Sequence, residues 1–215
     1  MNFLPAEIEQ YAEEHTRRGP DYLASLTRET WQKVVMPRML SGHLQGRFLS
    51  MVSHMIRPRR ILEIGTYTGY SALCLAEGLA PGGELITIDI NDELQSIQDK
   101  YFAQSPHASA ITRMFGDARQ VLREVNLAFD LVFVDADKES YPEYYHYLME
   151  HLPVGAFMLF DNVLWSGKVL SEPKPSDAET AALRELNAGI SRDARVENVL
   201  LPLRDGLMLV RKLSH

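Results

Sequence analysis

The sequence predicts an α/β fold, a doubly wound parallel sheet that ends in an antiparallel pair. Three observations carry that prediction. Strand-like apolar runs alternate with helical segments from residue 60 onward, the run at 129–134 is apolar almost throughout, and the last two runs flank a tight turn. A strand covered on both faces loses the in–out alternation of a half-exposed one, so the second observation calls for helices on either side of the sheet.

The first sixty residues read as helices. Residues 6–16 form a short amphipathic piece that stops before Arg17-Arg18-Gly19-Pro20, and 22–31 form a second. A third spans about 43–56, where Leu44, Phe48, Met51, Val52 and Met55 recur at helical spacing until Arg57-Pro58-Arg59 ends it. Strand 61–65 then leads into a helix over 70–79, and Pro81-Gly82-Gly83 turns the chain into strand 85–89. Asn91, with Glu93 and Leu94 after it, is placed to cap the next helix. Strand 111–115 and a short helix over 118–125 follow. Strand 129–134 precedes a helix over 139–151, whose opening turn tolerates Pro142 because the missing amide would have no partner there. Strand 156–160 comes next, then a helix over 177–187 with Ser176 and Glu179 at capping-box spacing. Strands 196–201 and 207–210 close the chain around Arg204-Asp205-Gly206. One domain over 1–215 is expected, with a helical cap at 1–57 on a core at 58–215.

Composition narrows the function. A net charge of −7 argues against nucleic acid, because a grip on phosphates wants a basic face. A single cysteine, Cys74, excludes an internal disulfide framework and fits a reducing compartment. The start carries Glu7 and Glu9 with no basic segment leading an apolar run, so no secretory leader is expected, and no apolar stretch is long enough for a membrane span. A cytoplasmic protein follows from these readings.

In open sheets of this kind ligands bind beyond the carboxyl ends of the strands. Four such ends carry suggestive residues. In Glu63-Ile64-Gly65-Thr66-Tyr67-Thr68-Gly69, two glycines bracket a loop that a ligand can approach closely, but Tyr67 stands where a dinucleotide fingerprint needs its second glycine. Asp89 ends the second strand about 20 residues on, where a carboxylate accepts from ribose hydroxyls. Gly116-Asp117-Ala118 ends the third and suits an adenine edge. Together these fit a nucleoside without a pyrophosphate.

The remaining ends are acidic. Val134-Asp135-Ala136-Asp137-Lys138 and Phe160-Asp161-Asn162 each follow an apolar strand. If those strands are neighbours, Asp135, Asp161 and Asn162 converge as hard oxygen donors that select Mg²⁺, Mn²⁺ or Ca²⁺. A vicinal dihydroxy aromatic would chelate such an ion through both oxygens, and the ion would acidify them. Lys138 beside the cation is disfavoured as an ammonium and suited to act as a base. Asp137 reads instead as a loop or cap residue, and Cys74 as a small buried apolar side chain. Trp165, Met36 and Met39 fit either an aromatic pocket or core packing, while Tyr144, Tyr145 and Tyr147 fit packing of a helix on its sheet.

The stretches Leu62 to Ser71, Val134 to Lys138 and Phe160 to Gly167, with Gln45-Gly46-Arg47-Phe48-Leu49 and Leu201 to Gly206, together resemble the cation-dependent O-methyltransferases related to caffeoyl-CoA O-methyltransferase and, more distantly, catechol O-methyltransferase. The resemblance implies a Rossmann-like seven-stranded sheet of order 3-2-1-4-5-7-6 and a homodimer. It implies S-adenosylmethionine as cofactor, contacted by Glu63, Gly65, Tyr67, Ser71, Asp89, Ala118 and Asp135, with the Ser41 backbone near the methionine end. Asp135, Asp161 and Asn162 match the metal ligands and Lys138 the general base. Three departures stand out: Asp137 replaces the aromatic residue that catechol O-methyltransferase places before its lysine, no carboxylate near Leu203-Arg204 matches its catechol grip, and the first 35 residues align loosely. A nicotinamide-dependent oxidoreductase and a non-catalytic metal-binding module on the same fold are the competing readings.

Overall fold

The computed structural model describes residues 5–215; residues 1–4, where the segment read for a secretory leader begins, lie outside the described residues. Alternation along the strands decides the architecture. Ile61, Leu85, Leu131, Phe133 and Leu159 belong to one apolar cluster and Leu62, Ile64, Ile86, Val132, Val134 and Phe160 to another, and all are buried. Successive residues of a strand point to opposite faces, so a sheet apolar on both must be covered on both.

The helices do this in two layers. α2 (Asp21–Lys33), α3 (Gly42–Ile56), α4 (Tyr70–Ala76) and α5 (Gln95–Phe102) supply the cluster on the first face. α6 (Ala118–Val121), α7 (Tyr141–His151) and α8 (Ala178–Arg192) supply that on the second. α1 (Ala6–Glu14) buries no side chain and lies against α3. Between the layers the sheet runs β3 (Ile111–Phe115), β2 (Glu84–Asp89), β1 (Arg60–Ile64), β4 (Leu131–Val134), β5 (Phe157–Asp161), β7 (Leu207–Lys212), β6 (Val196–Leu201), the order 3-2-1-4-5-7-6 that the resemblance implied. β7 is antiparallel to both its neighbours, and the other pairs are parallel. The carboxyl ends of β1 to β5 therefore open on one edge, and the order reverses between β1 and β4.

Local expectations failed where caps were assigned. Asn91 does not cap α5: its Oδ1 accepts from the Glu93 amide at 2.9 Å in an Asx turn, because its own amide is drawn to Asp89 Oδ1, and Leu94 occupies the cap position. Ser176 does not cap α8 either. Asp177 does, its Oδ1 accepting from the Thr180 amide at 3.2 Å, which moves the helix start one residue on. α8 also runs to Arg192 through Asn187 and Gly189, since burial of Leu186 and Ile190 outweighs their weak helix propensity. α4 and α6 are each shorter than expected, and a single 3₁₀ turn, Lys138–Ser140, stands ahead of α7.

Lys212, at the end of β7, is fully buried and donates to the Met149 and Leu152 carbonyls at 2.6 and 2.7 Å, satisfying the last turn of α7 with a positive charge. Lys212→Met keeps the apolar stem and orphans both carbonyls. The expected loss is about 2–3 kcal/mol, seen as a fall in thermal midpoint of about 5–10 °C. A midpoint within a degree of the parent would contradict this.

Candidate active site

The edge where β1, β2, β4 and β5 end gathers nearly every residue singled out above. β4 and β5 pair in parallel with Val134 opposite Phe160, so Asp135 and Asp161 each stand one residue beyond a matched pair. Asp161 is buried and Asp135 only partly so. Tyr141 ties the two strand ends: its fully buried hydroxyl lies 3.1 Å from both the Val134 and Asp161 carbonyls. Lys138, also buried, donates to Asp135 Oδ1 at 2.8 Å and to Tyr141 Oη at 2.7 Å. The 3₁₀ turn Lys138–Ser140 carries the lysine back over the carboxylate three residues before it.

Charge is concentrated here. Burial, then the neighbouring Asp135, raises the Asp161 carboxyl above its ordinary range, against the pull of Lys138, the Gln45 amide and Arg204. Gln45 Nε2 lies 2.5 Å from Asp161 Oδ2, and the Asn162 amide donates to Asp161 Oδ1 at 2.7 Å. Asn162 adopts φ +60, a left-handed conformation that asparagine tolerates better than most residues. Two carboxylates and a side-chain amide thus share one corner of the edge. Among the described residues no group of three His, Cys, Asp or Glu side chains is placed to hold a metal ion, so a cation at this corner would rest on a mixed carboxylate and amide set.

The other half of the edge is the loop after β1. Gly65 has φ +104, and a Cβ there would overlap the Asp135 carbonyl, so glycine is required for β1 and β4 to lie this close. Tyr67 also sits at positive φ, and its amide donates to Asp89 Oδ2 at 2.7 Å while the Asn91 amide holds Asp89 Oδ1 at 2.9 Å. Both carboxylate oxygens are thereby oriented by backbone. The Tyr67 ring reaches up to the cap, its hydroxyl donating to the Met36 carbonyl at 2.9 Å. Ser71 in the first turn of α4, just past this loop, and Ala118 at the start of α6, just past β3, are both buried. Ser41, immediately before α3, is buried as well.

Glu63 is the most perturbed carboxyl of the cofactor-side set. It is fully buried, accepts from Thr87 Oγ1 at 2.5 Å, and is pushed up to about 8, chiefly by desolvation, with the Ser71 and Thr87 hydroxyls pulling the other way. Below the ordinary value of 4.5 the folded and unfolded chains both hold this proton; between 4.5 and about 8 only the folded chain does, so stability falls as pH rises through that window. Glu63→Gln removes the dependence. From pH 5 to 8.5 the parent is expected to lose about 2–4 kcal/mol more unfolding free energy than the variant, and parallel urea-denaturation curves would refute the assignment.

Sequence reasoning missed three participants. Gln45 is a polar residue on the buried stripe of α3, in register with Leu49 and Val52, and that mismatch was a usable signal. Tyr141 lies three residues after Lys138 and was hidden among packing tyrosines. Arg204 stood in the turn before β7 and in a stretch that carries the resemblance, but nothing local tied its side chain to the acidic corner. Of the packing assignments, Tyr144 and Tyr145 are core residues and Cys74 is buried; of the three residues left between pocket and packing, Met36 and Met39 are exposed on the cap and Trp165 is half-buried. Asp137 is exposed and accepts from the Tyr144 hydroxyl at 3.1 Å.

The same chain pattern recurs in known proteins. The profile of the O-methyltransferase family matches residues 13–213. Caffeoyl-CoA O-methyltransferase 1 of Eucalyptus globulus is 34% identical over 92% of this chain and 84% of its own length. Catechol O-methyltransferase domain-containing protein 1 of Mus musculus is 34% identical over 98% of this chain and 82% of its own. Among solved structures, the SAH-bound methyltransferase PaMTH1 of Podospora anserina superposes with a TM-score of 0.88 at 26% identity, covering 100% of both chains. The chain belongs to the O-methyltransferase family.

Proposed function

We propose that the protein transfers a methyl group from S-adenosylmethionine to one hydroxyl of a vicinal dihydroxy aromatic, with a divalent cation in the site, and works as a homodimer. One observation carries the reading: Asp135 and Asp161 end adjacent parallel strands, with the Lys138 amine 2.8 Å from the first. The Eucalyptus relative's name, caffeoyl-CoA O-methyltransferase 1, and the catechol O-methyltransferase domain in the mouse relative's name support the same acceptor class. The family match also sets aside nicotinamide chemistry.

The residues fit both groups. Two buried or half-buried carboxylates and an amide oxygen, with Lys138 bonded to one carboxylate and Arg204 reaching the other only through Gln45, suit a hard cation. Asp89, held by two backbone amides, suits a ribose diol, and the crowded turn at Gly65 leaves backbone rather than side chains facing the ligand. When bound, S-adenosylmethionine supplies a sulfonium methyl and the cation supplies Lewis acidity toward the acceptor hydroxyls.

The chain's own groups do the rest. Asp135, Asp161 and Asn162 would hold the cation, with Gln45 and the Asn162 amide keeping Asp161 aimed. Lys138, fixed by Asp135 and Tyr141, takes the acceptor's proton at Nζ. Glu63, Tyr67, Ser71, Asp89, Ala118 and the Ser41 backbone position the nucleoside and amino-acid parts of the cofactor. Positioning and electrostatics account for most of the acceleration, since no residue forms a covalent intermediate. Methyl transfer should be measured over a panel of vicinal diphenols and matched monophenols, with and without EDTA. Transfer confined to the diphenols and abolished by EDTA is expected; transfer that survives chelation would overturn the cation's role.

A further inference from the structure

The turn between β6 and β7 fastens both margins of the site. On one side it holds the loop after β5: the Asp205 and Gly206 carbonyls accept from Leu164 and Val163 at 2.9 and 3.1 Å, and the Asp205 carboxylate accepts from the Ser166 amide. On the other side Arg204 reaches back across the chain. Its Nη1 donates to the carbonyls of Leu40, at 2.9 Å, and Ser41, and to Gln45 Oε1 at 3.2 Å, while Nη2 lies 3.5 Å from the Arg38 carbonyl. Gln45 uses its other amide atom on Asp161. A continuous polar chain thus runs from the turn through the start of α3 to the corner of the two carboxylates.

The backbone at Arg204 is costly for this residue. Its φ is +50, a left-handed conformation that favours glycine and disfavours a long side chain. A turn alone has no use for arginine in that position. The guanidinium, by contrast, has a use, because its planar fork can serve several carbonyls at once.

We propose that Arg204 is a positioning residue, a latch that fastens residues 38–45 of the helical cap to the β6–β7 turn and so sets Ser41 toward the cofactor and Gln45 toward Asp161. This rests on the reading above for Ser41 and Asp161. Release of the latch frees the segment between α2 and α3, which is exposed at Val35, Met36, Arg38 and Met39 and bears on the loop after β1 through the Tyr67 hydroxyl. Stability is lowest in segments held by few contacts, so one guanidinium here controls local opening.

Arg204→Gly is the natural test, because glycine accepts the left-handed backbone without the strain arginine bears, and that relief offsets part of the lost guanidinium contacts, so the thermal midpoint should fall by only a few degrees. Trypsin cleavage of the ligand-free protein at the Arg38–Met39 bond, scored by mass, is expected to accelerate about tenfold. In the same variant KM for S-adenosylmethionine should rise about fivefold while kcat falls less than threefold, and Arg204→Lys should lie between variant and parent. In a double-mutant cycle with Gln45→Leu, the two effects on cation half-saturation should fail to add. Cleavage within twofold of the parent would overturn the latch. Faster cleavage with an unchanged KM would overturn the positioning role. The cleavage arm contains no ligand, so it decides the latch by itself; a parent protein that does not bind S-adenosylhomocysteine would refute the reading of the site instead.

Discussion

Lys138→Ala is expected to lower kcat by about two to four orders of magnitude while the dissociation constant for S-adenosylhomocysteine stays within about threefold of the parent. The asymmetry follows from placement. Lys138 touches Asp135 Oδ1 and Tyr141 Oη on the β4–β5 side. Most of the expected cofactor contacts, Glu63, Gly65, Tyr67, Ser71, Asp89 and Ala118, lie instead at the ends of β1, β2 and β3 or just beyond them, and of the whole set only Asp135 is bonded to the lysine. A purely structural lysine would give another pattern, with a lower midpoint and both parameters shifted together. Removing the amine also leaves two neighbouring carboxylates with less local positive charge, so added Mg²⁺ should raise the midpoint of the ligand-free variant more than that of the parent. Turnover equal to the parent's would remove the base assignment.

Asp161→Asn should raise the half-saturating cation concentration about ten- to a hundredfold and cut turnover at low cation by a similar factor. The amide is chosen because it nearly preserves shape: its oxygen can still accept from the Asn162 amide, while its NH2 replaces the oxygen that accepted from Gln45, so Gln45 must turn its carboxamide over to pair with it. The substitution removes a charge that burial and Asp135 make costly in the parent, which offsets the re-pairing of Gln45, and the folded apo protein should therefore be no less stable after the change. A titration of activity with Mg²⁺ and Mn²⁺ separates the outcomes. An unshifted half-saturation would remove Asp161 from the ligand set, and insensitivity of both proteins to EDTA would remove the cation altogether.

The two chemistry-bearing corners were legible because each sits at the end of an apolar run. Leu131-Val132-Phe133-Val134 is apolar at every position since β4 is covered on both faces, and the first carboxylate past it must then lie at the sheet's edge. The same reasoning locates Asp89 and Asp161. It does not locate Gln45 or Arg204, whose relation to Asp161 joins positions 116 residues apart in the first case and 159 to the intermediary in the second. Caps were misassigned for a related reason: Asn91 and Ser176 have the right chemistry, but competition from Asp89 and Asp177 was settled by backbone geometry.

Periodicity and turn chemistry are local properties, and from them the chain alone determined its alternation of strands and helices, the two-sided burial of the sheet and the strand-end positions of its acids. Strand order within the sheet entered only through family resemblance. The tertiary structure decided what long-range closure decides: that β4 and β5 lie side by side, that the Tyr141 hydroxyl bridges their ends, and that a hairpin turn near the carboxyl end of the chain grips the cap near its start. Such contacts join groups far apart in sequence, and no period of 2 or 3.6 residues records them.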